Sequence, residues 1–193
     1  MSSFNSSRQS DVVSMLVVDA SKSARAAIEP HLCGYPETLL EQLVASRCFV
    51  RPLRAREGYH TASPALRRLG VDVDAWPVPP AGLFVVEERT VYFKSLSAMT
   101  IGHEVAHAID CALGGGIYRS GYDPRIRSAY ASARAFVTPY AATGLDEYFA
   151  ESVRAYPGVF NDPISPWPAA TPERLRACDP AMHAIVAEIF ASA

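Results

Sequence analysis

Thr100-Ile101-Gly102-His103-Glu104-Val105-Ala106-His107-Ala108-Ile109-Asp110 decides how the chain is read. In an α-helix, residues four apart share a face, so His103 and His107 point at one metal ion. Glu104 sits about 100° round the helix from His103. From there a carboxylate reaches a metal-activated water without ligating the metal. Such a water has a pKa near about 7, and a neighbouring glutamate takes its proton. Ile101, Val105, Ala108, Ile109 and Ala112 fall on an apolar stripe, with His103, His107 and Asp110 on a separate polar face. Ser97 is placed to cap the helix, and Gly114-Gly115-Gly116 to end it.

This is the His-Glu-x-x-His pattern of zinc peptidases, and it predicts Zn²⁺, one per chain. Asp110, three residues past His107, is expected to orient a ligand histidine or simply to be a helix-end acid. The spacing of metzincins, with a third histidine beyond a glycine, is absent. His183 lies off the apolar stripe of the C-terminal helix (Met182, Ile185, Val186, Ile189, Phe190) and is expected to be exposed. The third ligand is therefore sought in Leu145-Asp146-Glu147-Tyr148-Phe149-Ala150-Glu151-Ser152. Thr143 and Asp146 form a capping box there, Leu145, Phe149, Val153 and Tyr156 an apolar face, and Glu147, Glu151 and Arg154 a polar one. A carboxylate in the first turn of that helix completes a site of two histidines and one glutamate.

The remaining chain is read around these segments. Its 193 residues suffice for one core, and a net charge of -2 lacks the basic excess of nucleic-acid binders. No apolar run approaches the roughly 18 residues of a membrane span. Residues 1–10 are expected to be a disordered tail and 11–193 one domain. Val12–Val18 reads as a buried strand rather than a signal peptide. With no signal visible, a cytoplasmic location is the default expectation, and export without a cleavable signal the alternative. Cys33, Cys48, Cys111 and Cys178 lack metal-binding spacing and are expected to be free thiols, two bridges being the alternative. A helix over Ser21–Glu29 should stop before Pro30, a second run from Pro36 to about Ser46, and a short strand cover Phe49–Leu53. Ser63–Leu69 reads as a short helix ended by Gly70. The Pro-rich stretch 72–80, with Trp76, reads as a loop, and His60 as a surface residue. Leu83–Val86 and Thr90–Lys94 form a β-hairpin leading into the two-histidine helix. An exposed strand edge there suits a peptide bound in extended form. Gly114–Tyr122 reads as a loop and Asp123–Phe136 as a helix.

The pairing of His103-Glu104-Val105-Ala106-His107-Ala108-Ile109-Asp110 with Tyr140 and Glu147-Tyr148-Phe149-Ala150-Glu151 resembles the catalytic domain of the anthrax-lethal-factor-like metallopeptidases, which include the Pro-Pro endopeptidases. The resemblance runs from about Gly82 to the helix at Asp179-Pro180. It implies an α+β, zincin-like fold, a small twisted sheet packed on the active-site helix with a mainly helical C-terminal half. It implies Glu147 as the third zinc ligand, Tyr140, seven residues earlier, as the oxyanion donor, and Glu151 as support for a histidine. The activity implied is zinc-dependent endopeptidase, with Glu104 as general base. Two other readings stay open: a catalytically silent zinc-containing module that binds a peptide or protein, and a zinc hydrolase of non-peptide substrates.

Overall fold

The computed structural model describes residues 2–192, with side chains from Arg8 onward. Three helices come first, α1 (Ser2–Leu16), α2 (Lys22–Leu32) and α3 (Glu37–Ala45), then strand β1 (Phe49–Pro52). Two short helices follow, α4 (Tyr59–Ala62) and α5 (Pro64–Leu69), before strands β2 (Gly82–Val85) and β3 (Thr90–Phe93). The rest is helical: α6 (Ala98–Leu113), α7 (Pro124–Ser132), α8 (Leu145–Ala155), α9 (Pro172–Cys178) and α10 (Pro180–Ala191). The fold is α+β and zincin-like, and its C-terminal half is mainly helical, as expected. Among the described residues, no helix is long and apolar enough to cross a membrane.

The sheet has the order β1-β3-β2. β1 runs parallel to β3 with Val50 opposite Val91, and β2 runs antiparallel to β3 with Phe84 opposite Val91. The second strand of the hairpin is therefore central, and β2 is an edge.

α6 sits at the middle of the molecule. Its start is as read: Ser97 accepts a hydrogen bond from Thr100 N at 3.2 Å. Its surroundings differ from the expected one-sided stripe, because every residue from Thr100 to Ala112 is buried. α2, α3, β2, β3 and α8 all pack on it. The Tyr35 hydroxyl donates to Gly102 O at 2.6 Å, and the Tyr35 ring stacks on Phe160 at 4.8 Å. α8 is tied to the C-terminal helices by Tyr148, whose hydroxyl donates to Asp179 Oδ2 at 2.5 Å while Asp179 caps α10 through Met182 N. A smaller apolar cluster of Tyr59, Leu66, Val73, Val85 and Tyr92 lies on the other face of the hairpin.

Several sequence expectations are corrected here. Val12–Val18 is not a strand: α1 runs through Leu16, and only Val17 bridges to Val50. Val12, Val13 and Leu16 are buried while Asp11, Ser14 and Met15 are exposed, a helical period that the β-branched residues obscured. The boundary after residue 10 marks no change of backbone, since α1 spans it, and Arg8 pairs with Glu37 at 3.0 Å. α2 continues past Pro30 to bury Leu32 completely. One missing N–H is outweighed by a fully buried leucine. α7 ends at Ser132, and Val137 instead turns into the core. The capping box at Thr143 does not form: Gly144 is the N-cap, and the Thr143 hydroxyl donates back to Tyr140 O at 2.8 Å. All four cysteines are free.

Gly102 lets Phe160 approach α6. A Cβ there would lie 2.4 Å from Phe160 Cγ, which is buried and has no room to retreat. Gly102→Ala gains up to about 1 kcal/mol of helix propensity but overpacks the core by about 1–3 kcal/mol. The expected net result is a Tm lower by several degrees in a thermal unfolding scan. An unchanged or raised Tm would contradict this packing.

Candidate metal centre

His103, His107 and Glu147 each offer one ligand atom, all within 4.8 Å of one another. Two imidazoles come from one face of α6, and the carboxylate comes from the first turn of α8. His103 Nε2 and His107 Nε2 are 3.1 Å apart. Glu147 Oε2 lies 3.0 Å from His103 Nε2 and 3.4 Å from His107 Nε2. Yet this oxygen makes no aligned hydrogen bond with either ring, nor does His107 Nδ1 have a partner. With Glu147 Oε2 unpaired, the three donor atoms lie close enough together for one cation to be held by all of them. Tetrahedral zinc, with bonds of about 2.0–2.2 Å, separates its ligand atoms by roughly 3.3–3.6 Å. The donor set and spacing fit such an ion.

Glu151 fixes His103. Because a carboxylate only accepts, His103 Nδ1 carries the hydrogen of the 2.8 Å bond to Glu151 Oε1, leaving Nε2 free for a metal. Glu151 is itself buried and fully engaged. Arg154 donates Nε to Oε1 at 2.8 Å and Nη2 to Oε2 at 2.6 Å, and Thr138 donates its hydroxyl to Oε2 at 2.5 Å. Arg154 is 2% exposed, so this ion pair is desolvated and each charge depends on the other. Burial pushes His103 down, but without a metal the carboxylates of Glu147 and Glu151 lift it to about 10, so an ion binding at Nε2 displaces a proton there. Burial raises Glu147, but the two imidazoles hold it well below the usual carboxylate range.

Glu104 is 9% exposed, and burial pushes its carboxyl up against the opposing pull of His103 and His107. Its stem packs on the start of β2: a Cβ on Gly82 would lie 2.5 Å from Glu104 Cγ, so only glycine fits beneath it. The Tyr140 hydroxyl donates to Glu147 Oε1 at 3.0 Å. Burial and the Glu147 charge keep that phenol protonated well above its ordinary range.

These groups line a cleft of about 450 Å³. Its lining includes Pro80–Phe84, with the edge strand β2, together with Tyr118, Tyr140, Asp146, Trp76 and Trp167. The Pro-rich approach to β2 is held by Tyr59, whose hydroxyl donates to Pro80 O at 2.8 Å.

Asp110 does not meet the histidines by hydrogen bonding. Its oxygens accept from Ser120 N at 2.9 Å and Ser120 Oγ at 2.5 Å, pinning the loop after α6. The expectation that it orients a ligand histidine gives way to this loop-anchoring contact. His107 is instead held by packing, with the Tyr118 ring at 5.6 Å. His183 packs on Tyr156, and His60 faces Val71 O, both outside the cleft lining. Sequence reasoning assigned no role to Thr138, Tyr118, Ser120 or Trp167. They arrive from loops, whose spacing to the motif carries no period. Arg154 was legible, three residues from Glu151 on one helix face.

The fold and the site together define a zincin-like architecture with a two-histidine, one-glutamate centre able to hold a metal ion. A solved structure with this fold is the Pro-Pro endopeptidase PPEP-2 from Paenibacillus alvei, 22% identical, with a TM-score of 0.66 over 93% of this chain and 100% of that one. No protein-family model and no curated protein sequence matches the chain. At 22% identity the likeness is one of fold.

Asp110 generates a pH prediction. It is fully buried, and burial raises its pKa from 3.8 to about 6 against the pull of Ser120. Between these values the folded protein binds more protons than the unfolded chain, so stability falls as pH rises through that window. The effect reaches about 3 kcal/mol. Asp110→Asn removes it, so unfolding free energies should shift in the variant's favour by about 2–3 kcal/mol between pH 4 and 7. A pH-independent difference between the two proteins would contradict the assignment.

Proposed function

We propose that the protein is a zinc-dependent endopeptidase of the lethal-factor-like class to which the Pro-Pro endopeptidases belong. The observation that carries this reading is the convergence of His103, His107 and Glu147 in one cleft with Glu104 and Tyr140. The fold shared with a Pro-Pro endopeptidase supports it.

In this reading His103, His107 and Glu147 hold the zinc, which when bound supplies Lewis-acid polarisation and acidifies water at neutral pH. Glu104 takes the proton of the attacking water and returns it to the leaving amine. Its raised affinity for protons, caused by burial, suits both directions of transfer. Tyr140, kept protonated, turns its hydroxyl from Glu147 to the developing oxyanion. The free edge of β2 lies along the cleft and offers backbone groups to an extended peptide. Peptides with consecutive prolines are the first substrates to test, given the activity named for the neighbour.

The test is a peptide library enriched in Pro-Pro sequences, read by mass spectrometry with and without a chelator. Cleavage by the wild type is expected to stop with chelator. Glu104→Ala should lower turnover by at least about 100-fold while retaining zinc. Tyr140→Phe should lower kcat by about 100-fold or more. Near-normal cleavage by Glu104→Ala would refute the mechanism. Peptide retained but never cut would favour the silent binding module.

A further inference from the structure

Tyr140 has two aromatic neighbours. The His103 ring lies 5.5 Å away at 46°, and the Trp167 indole 5.6 Å away at 30°. The tyrosine sits on a single 3-10 turn, Tyr140–Ala142, and is 37% exposed. Its own backbone therefore gives the ring little confinement on the solvent side, and Trp167 supplies it.

Trp167 is delivered by a closed, stiffened loop. Asn161 bridges the loop ends, donating Nδ2 to Ala170 O at 3.0 Å and accepting from Ala170 N at 2.8 Å. Inside, Ser165 N donates to Asp162 O at 3.0 Å and Trp167 N to Ser165 Oγ at 3.2 Å. Pro163, Pro166 and Pro168 remove further backbone freedom. The base is pinned by Arg154, which donates Nη1 to Phe160 O at 2.8 Å and also holds Glu151. One arginine thus fixes both the loop that carries Trp167 and the carboxylate that orients His103. The two rings that neighbour Tyr140 are both linked to a single buried guanidinium.

We propose that Trp167 is a positioning residue for Tyr140: its indole confines the phenol to the arc along which the hydroxyl leaves Glu147 and meets the oxyanion. This rests on the endopeptidase reading, in which Tyr140 is the oxyanion donor. Trp167 is 39% exposed, and its aromatic neighbour is Tyr140. Orientation of a donor shows in kcat rather than in KM.

The test has two arms. The first needs no catalysis. The chain has two tryptophans, so in the Trp76→Phe background Trp167 is the sole emitter. Adding Tyr140→Ala should then increase acrylamide quenching of Trp167 and shift its emission to the red. No change in either would overturn the contact. The second arm is a double-mutant cycle on cleavage. Trp167→Ala should lower kcat about 3–10-fold with KM within about twofold, and Trp167→Phe should restore most of it. In the Tyr140→Phe background, Trp167→Ala should cost nothing further in kcat. Equal losses in both backgrounds, or a KM effect alone, would make Trp167 a substrate contact and overturn the proposal. A wild type that cuts nothing sinks the endopeptidase reading and this role with it, while the quenching arm still reports the ring contact.

Discussion

The two-histidine helix is buried on every side, and that constraint organises the rest of the molecule. A buried polar group without a partner is costly, so each one on α6 must be met by a side chain from elsewhere. His103 is met by Glu151, and Glu151 by Arg154 and Thr138. Asp110 is met by Ser120. These demands fix the positions of α8, of the loop after α6 and of the turn before Tyr140. Among the described residues, two of the buried atoms left unmet, Glu147 Oε2 and His107 Nδ1, belong to the candidate metal centre, and the third, Arg51 Nη1, lies on β1.

The arrangement also separates the tasks of the two glutamates on α8. Glu147, one turn earlier and nearer the cleft, faces the histidines with an uncommitted oxygen. Glu151, deeper, has every lone pair engaged and sets the orientation of His103. Four residues of helix give one residue type two surroundings, one open towards the candidate metal centre and one closed. Gly82 and Gly102 do comparable work by omission, since the absent Cβ admits Glu104 in one case and Phe160 in the other.

What was legible in the sequence follows from range. The extent of α6, its Ser97 cap, the hairpin and the pairing of His103 and His107 depend on local spacing, and all were readable. Glu147 and Glu151 were found because an aromatic-Phe-Ala segment separates them in a recognisable pattern. Val12–Val18 was misread because β-branched residues outweighed a helical period, and Pro30 because a proline was given more weight than the burial of Leu32. The hydrogen-bonding role expected of Asp110 was assigned by proximity along the helix, but Ser120, ten residues on, reaches it instead. Tyr118, Thr138 and Trp167 were not readable as parts of the site, because loops bring them there and only the folded chain shows where loops go.

The central claim is that His103, His107 and Glu147 together hold a zinc ion. Its most direct test is zinc content by elemental analysis, with zinc affinity by competition against a chelator, on the wild type and on Glu147→Ala purified identically. The account predicts about one zinc per chain in the wild type, and affinity at least about 100-fold weaker in a variant that remains folded. Equal zinc and equal affinity in both would place the third ligand elsewhere. A wild type that takes up no zinc, even when it is supplied, would contradict the claim outright.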